Sequence, residues 1–312
     1  MPETKNNLVV RNQIESTFRG QARRVLSQQH VFDLITEYHE HWRLEESTNE
    51  EQIKSMLAAN DAWEIGPATP RAILLGLVRH GVLKRIQLPF PHRGYTRFSI
   101  GECSIFELLQ SLDQNAYFTH YTAVQLHGLT EQIPKAIYLN VEQFATGGAG
   151  QLSQEGIDRA FKGKPRITNN VIEYDGRRVF KLNGMNTAKL GVTTMIVDES
   201  SVPIAVTNIE RTLIDITVRP MYAGGVSEVA KAYAAAAEHC SVNKIVAYLR
   251  KLNFTYPYHQ AIGYYLERSG AYAADQIELL AKSPMEFDFY LSYQMKNTDY
   301  NERWKLHIPK GF

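Results

Sequence analysis

An α+β fold in two parts is expected of this chain on three observations. Near its start, helical apolar spacing gives way to a strand, a turn and a second strand. Further on, strand-like segments precede a run of helices, and the chain closes on alternating, strand-like sequence. Strands grouped with strands and helices with helices argue for α+β over the regular alternation of a doubly wound parallel sheet. At 312 residues the chain is too long for one average domain and suits two, and 44% apolar with 21% charged residues is an ordinary globular composition.

The first helices are read over 31–44, where Leu34, Ile35 and Tyr38 share a face, and over 49–60, where Ile53, Met56 and Leu57 do. A third begins at Thr69-Pro70. The hydroxyl can accept from orphan N–H groups, and proline at the first helical position loses nothing. Gly81 can close it with a left-handed residue. Leu74, Leu77 and Val78 should face a core, leaving Arg71, Leu75 and Arg79 on another face. VLKRIQLPF, the turn PHRG and YTRFSI then read as two strands around a basic tip. Three helices and a hairpin are winged helix-turn-helix order, so the expected division is an extension over 1–30, a winged helix-turn-helix over 31–100 and a mixed α+β domain over 101–312.

Charge is segregated behind a net value of only +1. Six Glu (37, 40, 45, 46, 50 and 51) face the single Arg43 over 37–51, whereas 66–100 holds six cations, two His and no acid. Such a basic stretch beside a hairpin points to DNA. The second helix of a helix-turn-helix enters the major groove while phosphate contacts fix its register. The expected base-edge residues are Thr69, Arg71, Leu75 and Arg79, and the expected phosphate contacts are Lys84, Arg85, Arg93 and Arg97. Arg11, Arg19, Arg23 and Arg24 in the extension suit a basic arm, a dimerisation helix or a disordered leader equally.

Beyond 101, Thr119 can cap a short helix bearing Phe118, Tyr121 and Val124 that Gly128 ends, and 136–141 alternates as a strand. His120 and His127 sit at the ends of that helix, where histidine commonly serves as a hydrogen-bonded packing residue. A flexible loop is expected over 144–154, a hairpin over 165–184 turned at Asp175-Gly176, and a second over 192–206 turned around 199–201. Thr207 and Glu210 match a capping box. Arg211, Asp215 and Arg219 stand at i, i+4 and i+8, so one carboxylate can sit between two guanidiniums. Gly224-Gly225 lets one helix turn into the next. Tyr258, Ala261, Ile262, Tyr265 and Leu266 mark an amphipathic helix between Pro257 and Gly270, and 287–293 and 304–308 read as two closing strands around NTDYNER.

No run of about 18 apolar residues is present to span a bilayer, and MPETKNN lacks a signal-peptide core, so a cytoplasmic protein with no membrane partner is expected. Cys103 and Cys240 are far apart and lack the spacing of a zinc site, so no metal is expected and both read as structural thiols. The glycines of 144–154 form no phosphate cradle, and no cofactor is expected. Zincin, nucleophile-elbow and two-metal nucleotidyltransferase patterns are missing, so no enzyme is expected. Glu173, Asp175, Asp198, Glu210 and Asp215 are the carboxylates that could converge in a nuclease-like site.

YFTHYTAVQLHGLTEQIPKAIYLNV, starting at Tyr117, and TNIERTLIDITVRPMYAGGVSEVAKAY, starting at Thr207, resemble the AbiEi family of bacterial type IV antitoxins and related transcription regulators. The matching positions are His120, Thr122, Ala123, Leu126, His127, Gly128, Leu129 and Pro134, then Glu210, Arg211, Thr212, Leu213, Asp215, Pro220, Tyr222, Gly224, Gly225 and Glu228. The resemblance runs from Tyr117 to the end, about two thirds of the chain, and GVLKRI and RGYTRF are similar to the family's wing. It departs in the long LPFPH insert and in some 30 extra residues before the first helix. The resemblance implies an N-terminal winged helix, a C-terminal antitoxin domain marked by His120, His127, Glu210, Arg211, Asp215 and Tyr222, and two activities. These are repression of its own operon and action against a co-encoded nucleotidyltransferase-type toxin without an implied direct complex. Because helix-turn-helix readers commonly bind inverted repeats as dimers, a homodimer on an inverted repeat in double-stranded DNA is expected. The competing expectation is a protein-binding module of a phage-defence system that does not read DNA sequence.

Overall fold

The structure, a computed structural model, describes residues 16–18, 20–21, 23–44, 70–144, 151–197 and 202–312. The fold is α+β. Two compact units divide it, one made of 1–114 with 196–204, the other of 115–195 with 205–312. The first unit therefore runs past Ile100, where the sequence reading closes it. Helix α3 (Ile105–Gln110) belongs to it, capped reciprocally by Ser104 and Glu107 and burying Ile105, Phe106, Leu108 and Leu109.

In the first unit, β1 (Val25–Ser27) pairs antiparallel with β3 (Tyr95–Ser99), which pairs antiparallel with β2 (Lys84–Leu88). Part of the expected extension is thus a strand, and Phe18 and Leu26 from it enter the core. Helix α1 (Gln28–Leu44) contributes Val31 and Ile35, with Leu34 half-buried against them, and α2 (Pro70–Arg79) contributes Ile73, Leu74 and Leu77. Gly81 closes α2 at φ +72, where the Gly81 and Val82 N–H groups donate to the carbonyls of Val78 and Leu77. This is the six-to-one and five-to-two pair of a Schellman cap. The expected helix over 49–60, together with Thr69, Arg11, Arg19 and the side chain of Tyr38, lies outside the described residues.

The second unit is built on a six-stranded mixed sheet ordered β6-β7-β5-β4-β9-β8. Its members are β4 (Tyr117–Phe118), β5 (Ala136–Gln143), β6 (Val171–Tyr174), β7 (Arg177–Met185), β8 (Val192–Met195) and β9 (Ile204–Thr207). β5 runs parallel to β7 over its full length, and β4 parallel to β9. The near-continuous burial of Ile137 to Asn140 suits a central strand covered on both faces. The hairpin at Asp175-Gly176 forms with positive φ at both turn residues, as a type I′ turn needs. β8 and β9 are neighbours at the far edge, and residues 198–201 between them lie outside the described set, as do 145–150 of the expected flexible loop.

Around the sheet stand α4 (His120–Leu126), α5 (Gln154–Lys162), α6 (Ile209–Val218), α7 (Val226–Ala235), α8 (Val242–Leu252), α9 (Tyr258–Ser269) and α10 (Ala274–Ala281). Their apolar faces share one core with Trp304, Leu306 and Ile308 from the chain's end. The closing segment is three-stranded. β10 (Phe289–Tyr290) runs parallel to β12 (Leu306–Pro309), and β11 (Thr298–Asn301) antiparallel to it. Half of the segment read as a polar turn is therefore strand, because its backbone finds a partner in β12 although its side chains are polar. No helix among the described residues is long and apolar enough to cross a membrane.

Candidate functional site

Two groups of expected site residues are resolved, one on the surface of the first unit and one buried in the second. In the first, α2 spends Ile73, Leu74 and Leu77 on the core, which turns Arg71, Leu75 and Arg79 to solvent. Leu75 is 51% exposed. Neither arginine forms an ion pair with another described residue. Lys84, Arg85 and Arg93 on the hairpin are exposed as well. Lys84 lies 3.9 Å from Glu102, an exposed pair of little strength, and Arg93 stacks 5.2 Å from the centre of the Tyr95 ring.

Arg97 departs from the expectation. Its guanidinium donates to the carbonyls of Thr96, Ser111 and Leu112 and to the Ser111 hydroxyl at 2.9 to 3.2 Å. Partial burial lowers its pKa, chiefly by desolvation. A side chain this committed ties β3 to the end of α3 and is not available to a phosphate.

The six antitoxin-motif residues fall into separate roles around α6. Asp215 accepts from Arg211 Nε at 2.7 Å and from the Thr119 hydroxyl at 2.8 Å, all three side chains being buried. Burial works most strongly against the Arg211 charge, but Asp215, by charge and hydrogen bond, together with Tyr117 and Glu142 raises the pKa above its ordinary value. Arg211 Nη1 also donates to the Leu190 carbonyl at 2.8 Å and to the Thr187 hydroxyl at 3.2 Å. Thr187 in turn donates to Glu142, which also receives the Thr187 and Lys189 N–H groups and the Tyr117 hydroxyl. Burial alone would raise the Glu142 pKa, yet these donors bring it below the usual carboxylate value. One continuous network thus clamps β4, β5, α6 and the turn after β7.

The expected ladder from Arg211 through Asp215 to Arg219 is only half formed. Arg219 ends the helix at φ −136 and ψ 69, so its side chain leaves the helix face and reaches the Tyr293 hydroxyl at 3.4 Å. The capping box is shifted too. Asn208 caps α6 by accepting from Arg211 N–H at 3.0 Å, while Glu210 accepts from Ser241 N–H and Lys244 Nζ at the start of α8. Thr207 stays in β9, bonded to Thr212 through its hydroxyl. Thr119 stands at the cap position of α4 but gives its hydroxyl to Asp215.

His127 bonds through Nε2 to the Thr207 carbonyl at 2.6 Å, a packing role. His120 is less ordinary. It has φ +51, and its Nδ1 is sealed from solvent without a hydrogen-bond partner although part of the residue stays accessible. Its ring meets Tyr222 edge-on at 5.3 Å and Tyr138 at 6.0 Å. Desolvation pushes its pKa down to about 4, with Asp215 opposing and Arg219 and Arg211 assisting. Tyr222 completes the aromatic group and accepts from Thr168 N–H at 2.9 Å.

Glu142, Thr187 and Gly191 were not singled out in sequence, and Thr119 was read only as a helix cap. Only Gly191 left a local trace, a glycine before a strand; a Cβ there would lie 2.7 Å from Arg211 Cβ. The nuclease-like convergence is not formed among the residues described. Glu210 and Asp215 serve different partners, Glu173 and Asp175 are exposed, and Asp198 lies outside the described set. Among the described residues no group of three or more His, Cys, Asp or Glu side chains is placed to hold a metal ion.

No protein-family model matches the chain, and no curated protein matches it. Among solved structures it is similar to the crystal structure of the RV2827C protein from Mycobacterium tuberculosis, with a TM-score of 0.55 and 16% sequence identity over 95% of this chain and 90% of that one. At that identity the likeness is one of fold, and it accompanies the α+β architecture over nearly the whole length of both chains.

Proposed function

We propose that the protein is a DNA-binding repressor of its own operon that also acts as the antitoxin of a type IV pair. The observation that carries the first half is the solvent face of α2, where Arg71 and Arg79 flank Leu75 beside a hairpin bearing Lys84, Arg85 and Arg93. No acid falls between Gly66 and Ile100 to neutralise them. In this reading 31–100 acts as a winged helix-turn-helix, α2 enters the major groove and the hairpin lies on phosphates. The protein works as a non-catalytic homodimer on an inverted repeat in the cytoplasm. The antitoxin half rests on the AbiEi resemblance of the residues around α4 and α6, and it requires no complex with a nucleotidyltransferase toxin.

Binding of the purified chain to the duplex immediately upstream of its reading frame, against scrambled competitor and across a salt series, tests the proposal. Selective binding that weakens steeply with salt is expected, because each neutralised phosphate releases counterions. Absence of binding at low salt would sink the repressor and favour a protein-binding module in phage defence.

A further inference from the structure

The most unusual feature of the basic face is apolar. Leu75 is among the few large hydrophobic side chains that the described residues leave exposed, at 51%. It stands one helical turn from both Arg71 and Arg79, on a helix whose opposite face already supplies Ile73, Leu74 and Leu77 to the core. The core of this unit therefore does not need it. A face meant only to be solvated, or only to attract phosphate, gains nothing from a leucine between two guanidiniums. In the major groove such a row has a chemical counterpart. Guanine offers O6 and N7 to an arginine, and the one apolar group on the groove floor is the thymine 5-methyl.

We infer that Leu75 is a specificity-determining residue that reads thymine methyl groups in the major groove, between guanines addressed by Arg71 and Arg79. The inference rests on the proposed function, since it needs α2 to lie in the groove. Its ligand is double-stranded DNA, chosen by charge complementarity: the flanking side chains are cations, and hairpin cations Lys84, Arg85 and Arg93 extend the same sign along the chain. Arginines positioned by phosphate contacts alone would bind many sequences. A leucine that must shed water onto a methyl group discriminates thymine from cytosine, which lacks the methyl.

The experiment compares the full chain and Leu75→Ala on two versions of the upstream duplex, one with thymine and one synthesised with uracil throughout. Uracil keeps Watson–Crick pairing and removes only the methyl. The unsubstituted protein is expected to bind the uracil duplex more weakly, by about fourfold for each methyl contacted, from the usual value of burying one such group. Leu75→Ala should bind both duplexes alike, near the affinity of the unsubstituted protein for uracil DNA, and Leu75→Met should restore the preference. Because the side chain is exposed, the variants should fold as the parent does, and their circular dichroism melts check this. Equal binding of the unsubstituted protein to both duplexes overturns the inference and leaves the repressor reading standing. An equal loss on uracil in the parent and in Leu75→Ala also overturns it, since the methyls would then be sensed elsewhere or through DNA shape. No binding to either duplex removes the repressor reading itself.

Discussion

At the residue scale, the strongest commitments are buried charges. Replacing Asp215 by Ala leaves Arg211 buried without its partner and frees the Thr119 hydroxyl, and breaking such a pair from one side costs about 3–5 kcal/mol. Lys231→Ala, which removes the exposed cation of the Glu228 pair, should change stability little, because solvent screens that pair. Urea midpoints of the two variants give the comparison, and equal losses would mean that the buried network carries no more stability than a surface pair. His120 supplies a dependence on pH. Its folded pKa of about 4 lies below the ordinary 6.5, so the unfolded chain takes up its proton first as the solution is acidified. Stability from this group is complete above about pH 6.5, declines between 6.5 and 4, and levels off below 4 after a loss on the order of 3 kcal/mol. Asn tolerates the left-handed backbone at this position, so His120→Asn should flatten that decline in denaturation measured from pH 7 to pH 4. An unchanged slope would assign the acid sensitivity to other groups. Little of this was legible in advance. The i, i+4 spacing gave Arg211 with Asp215, but Glu142 on β5 and Thr187 in the turn after β7 carry no mark of their meeting.

Elements were read better where their determinants are local. The start of α2 at Pro70, its Gly81 stop and its inward and outward faces follow from neighbours within a few turns, as does the Asp175-Gly176 hairpin. The α6 cap was misplaced by one residue because Thr207 is held in β9 and Glu210 is drawn to α8, competitors that local pattern does not contain. Element contacts also set limits on substitution. Gly263 on α9 lies against the fully buried Trp304 ring, and a Cβ there would overlap it. Gly263→Ala should cost about 3 kcal/mol or more by overpacking, read as a lowered denaturation midpoint, and a midpoint within experimental scatter would show that the ring can move aside. For the hairpin, the salt slope of DNA binding separates phosphate contacts from internal ties. Alanine at Lys84, Arg85 or Arg93 should each reduce the slope by about 0.9. Arg97→Ala should leave the slope alone and lower stability, since Arg97 serves carbonyls of the chain. A reduced slope for Arg97→Ala would place it on phosphate after all.

On the scale of the molecule, the division at Gln114 has a practical consequence. A fragment over 101–312 carries α3 with Ile105, Phe106, Leu108 and Leu109, side chains that are buried in the intact chain. A fragment over 115–312 does not carry that surface. The shorter fragment should run as a single species on size exclusion while the longer one self-associates, and identical behaviour would argue that α3 finds its cover within 115–312. If the protein has the two activities proposed, Arg71→Ala with Arg79→Ala should abolish operator binding and leave toxin protection intact.

By itself the sequence determined the α+β class, the order of helix and hairpin in the first unit, the outward face of α2 and most helices of the second unit. These depend on periodicity, caps and turn residues, whose physics acts within about two helical turns. Tertiary structure alone decided the strand order β6-β7-β5-β4-β9-β8, the parallel pairing of β5 with β7, the entry of Val25–Ser27 into the first sheet and the diversion of Arg97 from solvent to carbonyls. It also decided that Glu142, Thr187, Arg211, Asp215 and Thr119 form one network. Partners 70 to 96 residues apart, such as Arg97 with Ser27 at the start of its sheet and Thr119 with Asp215, meet because burial leaves a polar group few places to satisfy its hydrogen bonds. That constraint belongs to the packed chain and leaves no periodic trace in its sequence.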